Sequence, residues 1–233
     1  MAMLNGDPKM IGLAIIMGIA PSLFWLWFWL KEDKEDPEPK GLLTFCFFIG
    51  MAIVVITVPI QKFVQSIFSS NQTQIILWAS TEELLKYLAV ILLLSRTKYL
   101  HKPINWPIFL ITVALGFAAF ENILFLIKPL SLGQATVGLM TGQLRFLGST
   151  LLHTVASGIV GIAIGLSFYM GDSLKKFYLI IGLLVAISLH SAFNFFIMSN
   201  NGSDFLRVFA FLWVATIINL LLFEKLRRMS GEN

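Results

Sequence analysis

Long apolar runs alternate with short polar stretches from one end of the chain to the other. A helix needs about 20 apolar residues to cross a bilayer. The runs predict spans at residues 10–30, 41–60, 75–94, 106–127, 144–170, 177–198 and 205–223. The first ends in Trp25-Leu26-Trp27-Phe28-Trp29, an interfacial aromatic anchor. Its apolar stretch is long for a signal-peptide core, and no A-x-A-like site precedes the charges that follow, so it reads as a retained span. The second run continues past Ile60 toward Phe68 as an interfacial extension. Residues 129–143 are rich in Gly, Ser and Thr yet fairly apolar, and read as a loop that could lie partly in the membrane. In the fifth run, Ser157, Gly161 and Gly165 recur every four residues, a stripe that permits close helix contact. The expected fold is all-α, a polytopic transmembrane helical bundle of about seven spans forming one domain over residues 1–233.

Composition agrees with the pattern. The 233 residues are 57% hydrophobic and 13% charged, with a mean hydropathy of +0.82. Soluble domains carry about 25% charged residues, so a soluble globular class is excluded. The net charge of +4 comes from basic residues in short loops, which excludes a nucleic-acid footprint and instead reports topology. One side holds Lys31, Lys34, Lys40, Arg96, Lys98, Lys102, Lys175, Lys176, Lys225, Arg227 and Arg228, and the other only Lys9, Lys62, Lys128, Arg145 and Arg207. The richer side is cytoplasmic by the positive-inside rule, which puts the N-terminus outside and the C-terminus in the cytoplasm of a cell-membrane protein. The charged connector from Lys31 to Lys40 reads as solvated. A single cysteine, Cys46, allows neither an intramolecular disulfide nor a CxxC metal site.

Against this background a few polar residues stand out. Of thirteen acidic residues, only Glu82, Glu83 and Glu121 fall inside predicted spans. Lys86, Asn122, His153, His190 and Asn194 complete a set drawn from four helices. Intramembrane charges are costly and point to function by default. Counted from the outer end of its own span, Glu82 lies about 8 residues deep, Glu121 about 6, His153 about 9 and His190 about 8, or roughly 9–14 Å at ~1.5 Å per residue. All four share one depth in the outer half of the bilayer, although successive helices run in opposite directions. A Glu83–Lys86 ion pair, a hydrogen-bonding His153 or a His190–Asn194 contact each has a structural explanation alone. The common depth argues for chemistry.

Two schemes fit, and both hydrolyse amides. A carboxylate paired with a histidine can deprotonate water, while a second histidine and an amide stabilise the oxyanion. Alternatively, histidines and glutamates can hold Zn2+ and leave a position for water. The metal-free scheme is the working expectation. Zinc is the alternative, with ligands from Glu82, Glu83, Glu121, His153 and His190. Lys86 neutralises the glutamate pair in either case. Ser80, Ser149, Ser157 and Ser191 lie outside any nucleophile motif. The rival from another class is an ion- or proton-coupled transporter using the carboxylates as a relay, but no inverted repeat is visible. A photoreceptor built on Lys86 fits less well, since that lysine lies in the third span beside two acids.

The motifs also carry a resemblance. Glu82-Glu83-Leu84-Leu85-Lys86 matches EExxK, the stretch Phe117–Asn122 matches FxxxEN, and His190–Asn194 matches HxxxN. With His153 and Pro37-Glu38-Pro39 in order, the chain resembles the PrsW family of intramembrane proteases over roughly Pro21 to Asn194. That family is distantly similar to CAAX-processing and bacteriocin-immunity (Abi) membrane proteases. The resemblance implies a peptidase that cuts a single-span membrane protein from within the lipid bilayer, with no nucleic-acid partner. The best-known role in the family is the first, extracytoplasmic-side cut in an anti-sigma factor. By the same resemblance Glu82, or its neighbour Glu83, activates water, and His190 with Asn194 forms the oxyanion site. Glu121 stands where the relatives have histidine, so the assisting role passes to His153 or Glu121 becomes a metal ligand. The family has been described both as metalloproteases and as glutamic-type proteases.

Overall fold

The computed structural model describes residues 8–31, 37–199 and 205–231. Eight α-helices follow one another among them. They are α1 (Pro8–Lys31), α2 (Lys40–Ile67), α3 (Asn71–Leu94), α4 (Asn105–Ser131), α5 (Ala135–Leu144), α6 (Thr150–Leu166), α7 (Asp172–Ser199) and α8 (Phe205–Gly231). A π-helical turn, Arg145–Ser149, joins α5 to α6, so the two form one rod and the bundle has seven rods. Six of the seven are long and apolar enough to cross a membrane. The seventh, α3, has the length, but any 18-residue stretch of it contains Glu82, Glu83 and Lys86. The all-α bundle therefore stands, and the helix that departs from the apolar pattern is the one carrying the charges.

One local reading changes and another is met. Residues 129–143 are not a loop: α4 runs to Ser131, Gly133 turns the chain at φ 71°, and α5 begins at Ala135. Glycine accepts that left-handed backbone without strain, and the apolar residues around it then continue as helix. The second span does run on past Ile60, as far as Ile67 and through Pro59, which places Gln61 within the helix. Of the charged connector, residues 32–36 lie outside the described residues, as do residues 1–7 at the polar start.

Helix α4 is the axis of the molecule. From Pro103 through Ala119 every residue except Trp106 is buried, and α1, α2 and α6 pack against it. Small residues set the spacing. A Cβ on Gly50 of α2 would lie 2.0 Å from the Val113 carbonyl, and one on Gly116 of α4 would lie 1.9 Å from that of Phe47. The two backbones therefore touch where those glycines meet. On α6, Gly161 lies against Pro107 and Gly165 against the Pro103 carbonyl, so the predicted stripe does bring α6 onto α4. Helices α3 and α7 complete the polar side of this core, α3 packing on α2 and α7, and α7 on α6. Ser70 caps α3, its hydroxyl accepting from the Thr73 amide at 3.4 Å.

Candidate active site

The four helices α3, α4, α6 and α7 enclose a polar cluster in this otherwise apolar bundle. Glu82, Glu83 and Lys86 come from α3, Glu121 from α4, His153 from α6 and His190 from α7. Glu82, Glu83, Lys86, His153 and His190 are each no more than 3% exposed. Burial on this scale requires that each polar group find a partner, and the partners define the site.

Glu83 is saturated. Its Oε1 accepts from Lys86 Nζ at 2.8 Å and from His190 Nδ1 at 2.9 Å, and its Oε2 accepts from Ser157 Oγ at 2.8 Å. Glu82 is not. Its Oε1 accepts from Gln61 Nε2 at 2.9 Å, but its buried Oε2 has no hydrogen-bond partner among the described residues. Around that oxygen lie His190 Nε2 at 3.7 Å, Lys86 Nζ at 3.8 Å and His153 Nδ1 at 3.9 Å.

The protons on both imidazoles follow from their neighbours. A carboxylate can only accept, so His190 Nδ1 carries the hydrogen that Glu83 receives, and in the neutral ring the Nε2 lone pair faces Glu82. An ammonium can only donate, so His153 Nδ1 accepts from Lys86 Nζ at 2.9 Å, and His153 Nε2 donates to Glu121 Oε2 at 3.1 Å. Two imidazole lone pairs and one unpartnered carboxylate oxygen thus converge. Glu82, His153 and His190 offer ligand atoms that all lie within 4.8 Å of one another. Both imidazoles also donate their other N–H to a carboxylate, the arrangement that orients metal-binding histidines. Two histidines and a glutamate suit zinc, so the residues present fit a metal ion.

Of the five ligands expected in the metal scheme, these three face one another. Glu83 and Glu121 stand behind the imidazoles, Glu83 on His190 and Glu121 on His153. Lys86 sits between the two α3 carboxylates, with its ammonium also 4.4 Å from the centre of the Phe117 ring. Asn194 is half-buried one turn beyond His190 and makes no hydrogen bond to the cluster among the described residues. Both His190 nitrogens are already directed at Glu82 and Glu83, which differs from the expected oxyanion pairing with Asn194. Glu38, from Pro37-Glu38-Pro39, is buried elsewhere and accepts from Asn105. Asn105 lies 16 residues before Glu121 on α4, about 24 Å away along the helix.

Three contributors escaped the sequence reading. Gln61 lies in the interfacial extension of the second span, where the sequence shows no reason for a buried role. Ser157 was read only as a small packing residue. Arg145, counted as a flanking basic residue, pairs with Glu121 and donates to Asn122 Oδ1 at 2.6 Å. The available signal for Arg145 was its place just over two helical turns before His153, on the side poor in basic residues.

The chain is 26% identical to Protease PrsW of Bacillus subtilis (strain 168) over 204 residues, covering 85% of this chain and 90% of the relative. It is 27% identical to Protease PrsW of Shouchella clausii (strain KSM-K16) over 220 residues, 93% of this chain and 96% of the relative. With Protease PrsW of Clostridioides difficile (strain 630) the identity is 25% over 218 residues, 90% of each. No solved structure matches the chain. A family model described as PrsW family intramembrane metalloprotease matches residues 38–222, which takes in every residue of the cluster. This integral membrane protein, a peptidase acting on membrane protein substrates in the bilayer, belongs to the PrsW family.

Proposed function

We infer that the chain is a zinc-dependent intramembrane endopeptidase in which Glu82, His153 and His190 hold the metal ion. The observation that carries this is the buried, unpartnered Glu82 Oε2 facing the lone pairs of both imidazoles. Bound there, zinc supplies a water acidic enough to attack near neutral pH and polarises the scissile carbonyl. The chain's own residues prepare the site. Gln61 holds Glu82 Oε1 and so presents Oε2 inward. Glu83 and Glu121 fix the two rings. Lys86 and Arg145 offset two of the three carboxylate charges.

A second reading rests on one contact. Lys86 Nζ lies 2.9 Å from His153 Nδ1, on the very lone pair a metal would use. Left there, it favours the metal-free route, in which Glu82 takes the proton of water and passes it to the leaving amine. Elemental analysis of purified active protein, paired with chelation, separates the two. Zinc at one ion per chain, lost together with cleavage and restored by zinc alone, is the expected outcome. Full cleavage by metal-free protein would overturn the zinc reading.

The substrate we propose is a single-span membrane protein cut near its extracytoplasmic end, with an anti-sigma factor as the best candidate. Support comes from the outer-half depth of the cluster and from the excess of basic residues in the loops assigned to the cytoplasm. The same topology sets the N-terminus outside and the C-terminus inside. Asn194, near the outer end of α7, remains the candidate to hydrogen-bond the substrate carbonyl. Single alanine replacements of Glu82, Glu83, Glu121, His153 and His190 should abolish or sharply reduce cleavage while the protein still inserts.

A further inference from the structure

The hydrolytic scheme gives Arg145 only a charge to offset, yet its guanidinium is engaged through both Nε and Nη2. Its Nε donates to Asn122 Oδ1 at 2.6 Å, and its Nη2 donates to Ser149 Oγ at 2.9 Å and to Glu121 Oε2. The guanidinium carbon stands 4.0 Å from the centre of the Phe125 ring. Asn122 is locked in turn, donating to Thr150 Oγ1 at 2.9 Å. The oxygen of Glu121 that Arg145 binds is the one that receives His153 Nε2.

The backbone is shaped for this chain of contacts. Arg145, Ser149 and His153 are spaced by four residues. In a regular α-helix, eight residues overshoot two full turns by about 80°, which would turn Arg145 away from the face of His153. The π turn over Arg145–Ser149, closed by the Thr150 amide on the Arg145 carbonyl, is wider and counteracts that drift. All three side chains reach Glu121. Such turns recur at functional sites.

We propose that Arg145 is a positioning residue of the hydrolytic site, acting through Glu121 to fix the tautomer and orientation of His153. A neutral imidazole has one N–H, and the partner of one nitrogen decides which carries it. Glu121 on Nε2 makes Nε2 the donor and leaves Nδ1 a lone pair, which receives Lys86 Nζ at 2.9 Å with Glu82 Oε2 behind it at 3.9 Å. The Glu121 side chain is 20% exposed, so without Arg145 it can swing out to water. Nε2–H then loses its acceptor, and only Lys86 on Nδ1 still opposes the tautomer that would turn an N–H toward Glu82 where a lone pair is required. Only a planar fork holds Glu121 and Asn122 together; a lysine ammonium offers a single point of charge. The inference rests on the proposed site but holds for its metal and metal-free forms alike, since each needs Nδ1 as an acceptor.

The test is a mutant cycle in full-length protein purified in detergent, comprising wild type, R145Q, R145K, E121A, R145Q/E121A and R145K/E121A. Zinc affinity is read by competition with a chromophoric chelator, and kcat and KM with a quenched fluorescent transmembrane peptide. R145Q and E121A should each weaken zinc binding and lower kcat by about 10- to 100-fold, the range for outer-shell partners, with KM unchanged. R145K should recover little, and the double variant should be no worse than E121A. Full recovery by R145K, an added loss when R145Q is placed in E121A, or no effect of R145Q would overturn the proposal. If R145Q does not fold, R145K in both backgrounds decides it by the same additivity. If wild type cleaves without binding zinc, the metal reading fails, and the cycle read on kcat alone still decides the role of Arg145.

Discussion

Glu82 and Glu83 are neighbours on α3, equally buried, and should fail in opposite ways when changed to glutamine. Glu83 receives Lys86 at 2.8 Å, His190 at 2.9 Å and Ser157 at 2.8 Å. Glutamine keeps the volume but removes the charge and turns one acceptor into a donor that meets donors. Breaking a buried ion pair from one side costs about 3–5 kcal/mol. Glu82 has one hydrogen bond, from Gln61, and Lys86 stands back at 3.8 Å. Glutamine can keep the Gln61 contact and turn its amide toward the two imidazole lone pairs, so Glu82→Gln should cost at most about 1 kcal/mol. The gap of about 2–4 kcal/mol is measurable by denaturant titration in micelles, followed by the fluorescence of the six tryptophans. Cleavage should rank the other way. Glu82→Gln should lose at least about a hundredfold in kcat, the scale of a lost general base. Glu83→Gln should lose about 10- to 100-fold, the scale of a lost orienting carboxylate. Equal destabilisation of the two variants, or turnover by Glu82→Gln within tenfold of wild type, would refute the division of roles.

Other consequences are simpler to state. Gln61→Leu removes the donor that holds Glu82 Oε1 and should lower kcat about 10- to 100-fold, with stability changed by about 1 kcal/mol, read in the same two assays. Gly116→Ala puts a methyl 1.9 Å from the Phe47 carbonyl and should destabilise by about 3 kcal/mol or more, while Gly12→Ala, with nothing within 4 Å, should be silent. In a Cys46→Ala background, Ser69→Cys should react with a membrane-impermeant maleimide on intact cells, and Ser95→Cys only after permeabilisation. The reverse pattern would invert the topology.

Much of this was legible from residue type and spacing. Two periodicities carried the fold, the twenty-residue apolar runs and the four-residue stripe on α6 that sets Gly161 against Pro107. The cluster residues were legible because charge inside an apolar run has few innocent explanations. Their roles were not. Glu82 and Glu83 differ only in which way α3 faces, and neighbours on a helix point about 100° apart. Which one meets Ser157 and which meets Gln61 depends on how α2 and α6 dock, and that is decided by glycine contacts distant in sequence. Gln61 was hidden because it falls in the interfacial extension of α2, where a polar residue needs no buried partner. Arg145 was hidden because a π turn is invisible to a 3.6-residue count.

The balance of the cluster separates a structural network from a working one. A network kept only to hold helices together gains most when every polar atom is paired, since each buried orphan weakens it. Around α3 the pairing is nearly complete. Glu83 has three donors, His153 has a partner on each nitrogen, and His190 has one on Nδ1. The exception is a single oxygen, Glu82 Oε2, at the point where the two imidazole lone pairs meet. Charge shows the same deficit. Three carboxylates against Lys86 and Arg145 leave one negative charge uncompensated when both imidazoles are neutral. Replacing Glu82 with an uncharged residue would close both gaps and make α3 more apolar, so stability alone gives no reason to keep it. A cation or a water held at that oxygen does, which is why the reading of this chain turns on Glu82 more than on any other member of the cluster.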